Sequence, residues 1–170
     1  KGIFGTIELG RLKTPYKYMG GVTYDPFVAT NLEARGNGGQ SKGEMGSGNA
    51  FGHNDFTANS IAWKSNNFSG VTIWASVSLD EEDSTGAEVF SDGDFSLGVK
   101  YKNGPLELGI VTISDDSRDA DAIKFFGQYK LNNHTFSGSF EAIDNGAATN
   151  NDVDVWFFGY QGRFGNNSFV

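Results

Sequence analysis

From residue 56 onward the sequence alternates. VTIWASVSL at 71–79 sets Val71, Ile73, Ala75, Val77 and Leu79 on one side and Thr72, Trp74, Ser76 and Ser78 on the other. FSLGVKYK at 95–102 sets Phe95, Leu97, Val99 and Tyr101 against Ser96, Gly98, Lys100 and Lys102. IKFFGQYKL at 123–131 sets Ile123, Phe125, Tyr129 and Leu131 against Lys124, Phe126, Gln128 and Lys130. FTANSIAWKS (56–65) and DVWFFGYQGRF (154–164) follow the same rule, and LELGIVTIS (106–114) and TFSGSFEAI (135–143) follow it less strictly. A period of two over this many segments specifies β-strands with two chemically distinct faces.

The connections narrow the choice further. Short turns fall at Asn66–Gly70, Asn103–Pro105, Asn132–His134 and Gly165–Asn167, and longer links at 80–94, 115–122 and 144–153 lie between them. Strict alternation of short and long connections puts all the turns at one end of an antiparallel up-and-down sheet and all the long links at the other. Trp63, Phe68, Tyr101, Tyr129, Phe136, Phe164 and Phe169 lie close to short turns, and Phe95, Phe125 and Trp156 are expected near the opposite strand ends. Two aromatic bands around an aliphatic middle suit a wall that faces lipid. No apolar run is long enough for a membrane helix, the densest being Val155–Tyr160, but a barrel strand needs only ~9–11 alternating residues. A soluble β-sandwich with the apolar face as its core remains the alternative, because alternation does not say which face is wet.

Residues 14–55 obey neither period. They form 42 residues with nine glycines, too long for an idle connection in a compact domain. The net charge of −8 argues against nucleic acid as a partner, and the absence of cysteine leaves the redox compartment open. No Walker loop, HExxH or GxSxG occurs, and His53 and His134 lack metal-ligand spacing, so neither catalysis nor a metal or cofactor is expected.

Several stretches carry a family resemblance. GTIELGRLKTPYK (5–17) with YDPF (24–27), NSIAWKSNNFSGVTIWASVSL (59–79), FSLGVKYKNGPLELGI (95–110) and FFGQYKLNNHTFSGSFE (125–141) resemble, in order and spacing, the general porins of the Gram-negative outer membrane. The resemblance implies an all-β transmembrane antiparallel up-and-down barrel of sixteen strands, a homotrimer in contact with outer-membrane lipid and lipopolysaccharide. Its implied function is passive diffusion of small hydrophilic solutes and ions, with no catalysis. With eight strands and a stub at 168–170, residues 1–170 are expected to be about half of one barrel domain. The competing functional reading is a soluble β-sandwich carbohydrate-binding module.

On the same resemblance, 14–55 is the loop that folds into the lumen and constricts the pore, while 80–94, 115–122 and 144–153 are external. Asp25 and Glu33 lead the candidate acids, Arg35 stands beside Glu33, and Arg11 and Lys64 lead the candidate bases. Tyr16, Tyr24 and Phe27 would anchor the loop. Alternation puts Arg11 on the side of Ile7 and Leu9, so an inward Arg11 requires a bulge, expected at Gly10. The acidic balance suggests a weak preference for cations.

Overall fold

The computed structural model describes residues 2–27, 57–79, 81–82, 88–90, 95–115, 120–144 and 152–170. Strand β1 is Thr6–Leu12, and two one-turn helices follow, α1 at Pro15–Tyr18 and α2 at Gly21–Tyr24. The remaining strands are β2 Thr57–Lys64, β3 Val71–Ser78, β4 Glu81–Glu82, β5 Glu88–Phe90, β6 Phe95–Asn103 and β7 Leu106–Asp115. They continue with β8 Ala120–Leu131, β9 His134–Asp144, β10 Val153–Phe164 and β11 Asn167–Phe169. Nine of the strands form one antiparallel sheet in the order β1-β2-β3-β6-β7-β8-β9-β10-β11, so each pairs with its neighbour in the chain's main series. β4 and β5 pair separately as a small ribbon within the 80–94 link. The alternating segments therefore become the expected up-and-down sheet, and its strands lengthen to 12 residues at β8 and β10.

The strands run further into two links than the sequence suggests. β7 and β8 still pair at Asp115↔Ala120, and β9 and β10 span Asp144 and Val153, which leaves 116–119 and 145–152 as the connections. Backbone pairing has claimed residues whose side chains looked loop-like.

The cross-strand register sorts side chains into rows. One row on one face reads Gly98, Val111, Lys124, Glu141, Val155, and the next reads Lys100, Gly109, Phe126, Ser139, Phe157. The opposite face carries Val99, Ile110, Phe125, Phe140 and Trp156 in one row and Leu106, Tyr129, Phe136 and Tyr160 nearer the turns. The first face is covered: Val111, Ile113, Ala122, Lys124, Phe126, Glu141, Ile143 and Val155 are all buried. The second is bare, with Ile110, Phe125, Tyr129, Trp156 and Phe158 exposed, the last at 82%. No second sheet packs on it among the described residues, so the sandwich is not the arrangement formed. A bare apolar face on strands of this length is a lipid-facing wall.

Among the described residues, one of the two expected aromatic bands is present. Tyr129, Phe136 and Tyr160 share the row at the short turns, where His134 stacks on Tyr160 at 6.0 Å between centroids. Phe125 and Trp156 do not cap the opposite ends. They sit in the middle row, and only Phe95 stands two rows further on, level with Ser114, Asp121 and Asp144. Register, which sequence distance from a turn does not reveal, decides this.

Candidate functional site

What covers the inner face is the start of 14–55. β1 ends at Leu12, and Thr14-Pro15 turns the chain, because proline has no N–H to give a ladder and favours the first helical position. Thr14 caps α1 by accepting the Lys17 N–H at 3.2 Å, and the Met19 N–H closes the turn on Pro15. Glycines on the wall and on the docked chain allow the close approach. A Cβ on Gly98 would lie 2.2 Å from Met19 Sδ, and one on Gly20, at φ +83°, would lie 2.3 Å from Phe126 Cγ.

Tyr16 is fully buried and engages three wall strands at once. Its N–H donates to Ser96 Oγ on β6 at 3.1 Å, and its carbonyl accepts from Lys124 Nζ on β8 at 2.8 Å. Its hydroxyl donates to Glu141 Oε2 on β9 at 3.0 Å. Lys124 and Glu141 are themselves paired at 3.3 Å with both side chains fully buried, and Nζ stands 4.0 Å from the Tyr16 ring centroid. Each charge thus has its opposite and several further partners, which is the condition for tolerating an ion pair away from water.

A second tyrosine repeats the device eight residues on. The Tyr24 hydroxyl donates to Glu107 Oε1 at 2.9 Å, while Lys100 and Lys102 reach the same carboxylate at 3.2 and 3.3 Å. The Tyr24 ring meets Phe126 edge-on at 5.8 Å, and its carbonyl accepts from Ser137 Oγ at 3.3 Å. Burial, then the charge and hydrogen bond of Glu141, hold the Tyr16 hydroxyl pKa well above the usual tyrosine range. Burial, then Glu107, raise Tyr24 in the same way.

Asp25 caps the end of α2 and is 5% exposed, with Oδ1 accepting the Phe27 N–H at 2.8 Å. It lines a small polar cavity of about 90 Å³ with Gln128, Ser137 and Gln161. Phe27 is half-buried beside it. Glu33 and Arg35 lie outside the described residues. Arg11 and Lys64 are both exposed and line one recess beside β1 together with Glu8, Lys13 and Trp74. The register shifts between Gly10 and Leu12, at the place expected for a bulge, and Gly10 itself has φ +123°. From Gly10 to Leu12, β1 advances two residues while β2 retreats three, from Ser60 to Thr57, so the extra residue belongs to β2, where Asn59 has φ +47°. Asparagine tolerates this left-handed backbone better than Arg11 or Leu12 would.

Glu107 and Glu141 escape a search that looks for acids only in the loop. A signal for them exists in the sequence. Lys124 and Glu141 are equidistant from the Asn132–Asn133 turn, as Lys102 and Glu107 are from Gly104–Pro105, and both pairs are direct cross-strand partners.

Comparison with known proteins agrees with this architecture. The chain matches the family described as Gram-negative porin over residues 1–170. Among solved structures it is similar to an anion-selective porin from Comamonas acidovorans, with a TM-score of 0.69 and 21% identity. That match covers 97% of this chain and 51% of the other, so the chain spans about half the length of that porin. No curated protein matches it. With an open up-and-down sheet, a bare apolar face and a family match along its whole length, the chain belongs to the Gram-negative porins, proteins of the outer membrane.

Proposed function

We propose that this chain supplies part of the wall of a water-filled pore, crossed by small hydrophilic solutes and ions through passive diffusion. The observation that carries the reading is the docking of residues 14–25 on the face opposite the lipid wall, through Tyr16 and Tyr24. A segment held there lies within the barrel, so 14–55 narrows the pore and 80–94, 115–122 and 144–153 face outward. Tyr16, Tyr24 and Phe27 anchor the segment. Asp25, Glu33 and Arg35 on it, with Arg11 and Lys64 opposite, set the transverse field at the constriction. Opposite charges ~10 Å apart interact by only ~0.4 kcal/mol in water, but a low-dielectric wall focuses several such pairs into a potential that favours polar solutes.

The protein acts as a channel without catalysis and assembles as a homotrimer among lipopolysaccharide and lipid. The net charge of −8 favours a weak cation preference, in contrast to the anion-selective porin that shares the fold. Planar-bilayer recording of the full-length protein tests the reading. Stepwise conductance with heat-dependent gel migration is expected, and a freely water-soluble monomer without conductance would overturn it.

A further inference from the structure

The lipid-facing side of the sheet differs in charge at its two ends. The register that places Phe125, Phe140 and Trp156 on that side also places Asp121, Asp144 and Asp154 there, two to four residues further from the short turns. At the short-turn end of β8 to β10 the same side carries Tyr129, His134, Phe136 and Tyr160, with no carboxylate among the described residues of these rows. Lys130 and Arg163, the cations near the same turns, alternate to the inner face. An anionic group meeting the barrel from the lipid is therefore repelled at one end and tolerated at the other.

His134 gives that end a directed donor. Its half-buried ring stacks on Tyr160 and meets Phe164 edge-on at 5.3 Å, while Phe136 leans on Tyr160 at 5.2 Å. Nδ1 lies 2.8 Å from the Tyr160 hydroxyl. The hydrogen bond made by one ring nitrogen decides which nitrogen carries the proton. With the Tyr160 hydroxyl donating to Nδ1, the proton sits on Nε2, and Nε2–H meets no acceptor among the described residues. Aromatic rings of such a band settle at headgroup level, where phosphate oxygens are the strong acceptors at hand. Phe136, exposed two residues nearer the middle of the wall, offers apolar surface on the side where the acyl chains lie.

We propose that His134 is a headgroup contact for a phospholipid of the leaflet at the short turns, Nε2–H donating to a phosphate oxygen while Tyr160 fixes the ring and the acyl chains run along Phe136. The contact lies on the outside of the barrel and depends on the lipid-facing assignment, not on conductance. The full-length protein carrying isotope-labelled histidine, held in a maltoside detergent, tests it. The imidazole resonance that disappears in His134→Phe belongs to residue 134. Diheptanoylphosphatidylglycerol should move it in a saturable way. Diheptanoylglycerol, which has the chains without the phosphate, and inorganic phosphate, which has no chains, should not. His134→Phe keeps a ring against Tyr160 and Phe164, and should raise about tenfold the phosphatidylglycerol concentration that protects the barrel from heat in gels. His134→Gln, which keeps an N–H, should respond like the wild type. Should His134→Phe fail to fold, His134→Gln assigns the resonance and the wild-type titration decides. A resonance unmoved by the phospholipid, one moved as far by either comparison compound, or an unchanged lipid requirement in His134→Phe overturns the contact and leaves the pore intact. A full-length chain that is soluble without detergent overturns the lipid wall and this contact with it.

Discussion

Replacing Lys124 by methionine tests what holds the inner segment. The ammonium lies 3.3 Å from Glu141 Oε1 and 2.8 Å from the Tyr16 carbonyl, and both members of the pair have no solvent-exposed side-chain surface. Methionine keeps most of the stem volume but leaves the Glu141 carboxylate with the Tyr16 hydroxyl and no opposite charge. Breaking one side of a buried pair costs ~3–5 kcal/mol, whereas loss of the exposed Lys102 contact to Glu107 falls in the ~0–1 kcal/mol class of surface pairs. The sheet ladder does not depend on the pair, so the cost falls on docking of 14–25. A loss of ~3 kcal/mol lowers the docking constant by about two orders of magnitude.

Trypsin reads this directly, because Lys17 in α1 is 3% exposed and protected while docked. Lys124→Met should expose the bond after Lys17 to cleavage in the intact barrel and raise open-channel current noise, while Lys102→Met should do neither. Lys124→Met with Glu141→Leu should recover part of the protection, since an apolar replacement of both charges removes the stranded carboxylate. Equal protection of Lys17 in wild type and Lys124→Met would refute the anchoring role.

Other expectations follow from the same contacts. Tyr24→Phe removes one hydrogen bond to a charged acceptor, ~1.5–3 kcal/mol, and should destabilise docking less than Lys124→Met because Glu107 keeps Lys100 and Lys102; chemical-denaturation midpoints of segment release would rank them. Gly20→Ala forces a Cβ to within 2.3 Å of Phe126 at a backbone of φ +83°, an overpacking of ~1–3 kcal/mol that should appear as increased Lys17 cleavage. The raised pKa values of Tyr16 and Tyr24 mean that the undocked hydroxyls lose their protons first. Docking should therefore be at full strength below about pH 10 and weaken as pH rises beyond it, with the two residues ionising late in a 295 nm titration. On the bare face, Phe125→Arg in the middle row should cost ~2–4 kcal/mol of barrel stability and Tyr129→Arg near the turns ~0–1 kcal/mol, measured by refolding into lipid. Equal costs at the two depths would contradict the lipid-facing assignment.

Much of the architecture is legible from residue order. Ile73, Leu97 and Phe125 alternate with Thr72, Ser96 and Lys124 because the pleat sends successive side chains to opposite faces. The turns at Asn132–Asn133 and Gly104–Pro105 set the register, and register places Lys124 opposite Glu141 and Lys102 opposite Glu107. The turn in Thr14-Pro15 is local chemistry too, although a single helical turn leaves no periodicity by which α1 could be recognised. Arg11 shows the limit: the irregularity falls at Gly10, whose φ is +123°, but the extra residue belongs to the partner strand, where Asn59 also has a positive φ, and residue order does not reveal that.

Sequence alone therefore determined the strands, their order and the chemistry of each face, because those follow from covalent spacing and nearest-neighbour pairing. Tertiary structure decided which face is covered and by what. Burial of Tyr16 joins residues 80, 108 and 125 positions apart, through Ser96, Lys124 and Glu141. No local pattern encodes such contacts. They exist because the docked segment lies across strands β6 to β9, and a buried lysine and glutamate are stable only when Tyr16 arrives to complete their hydrogen bonds.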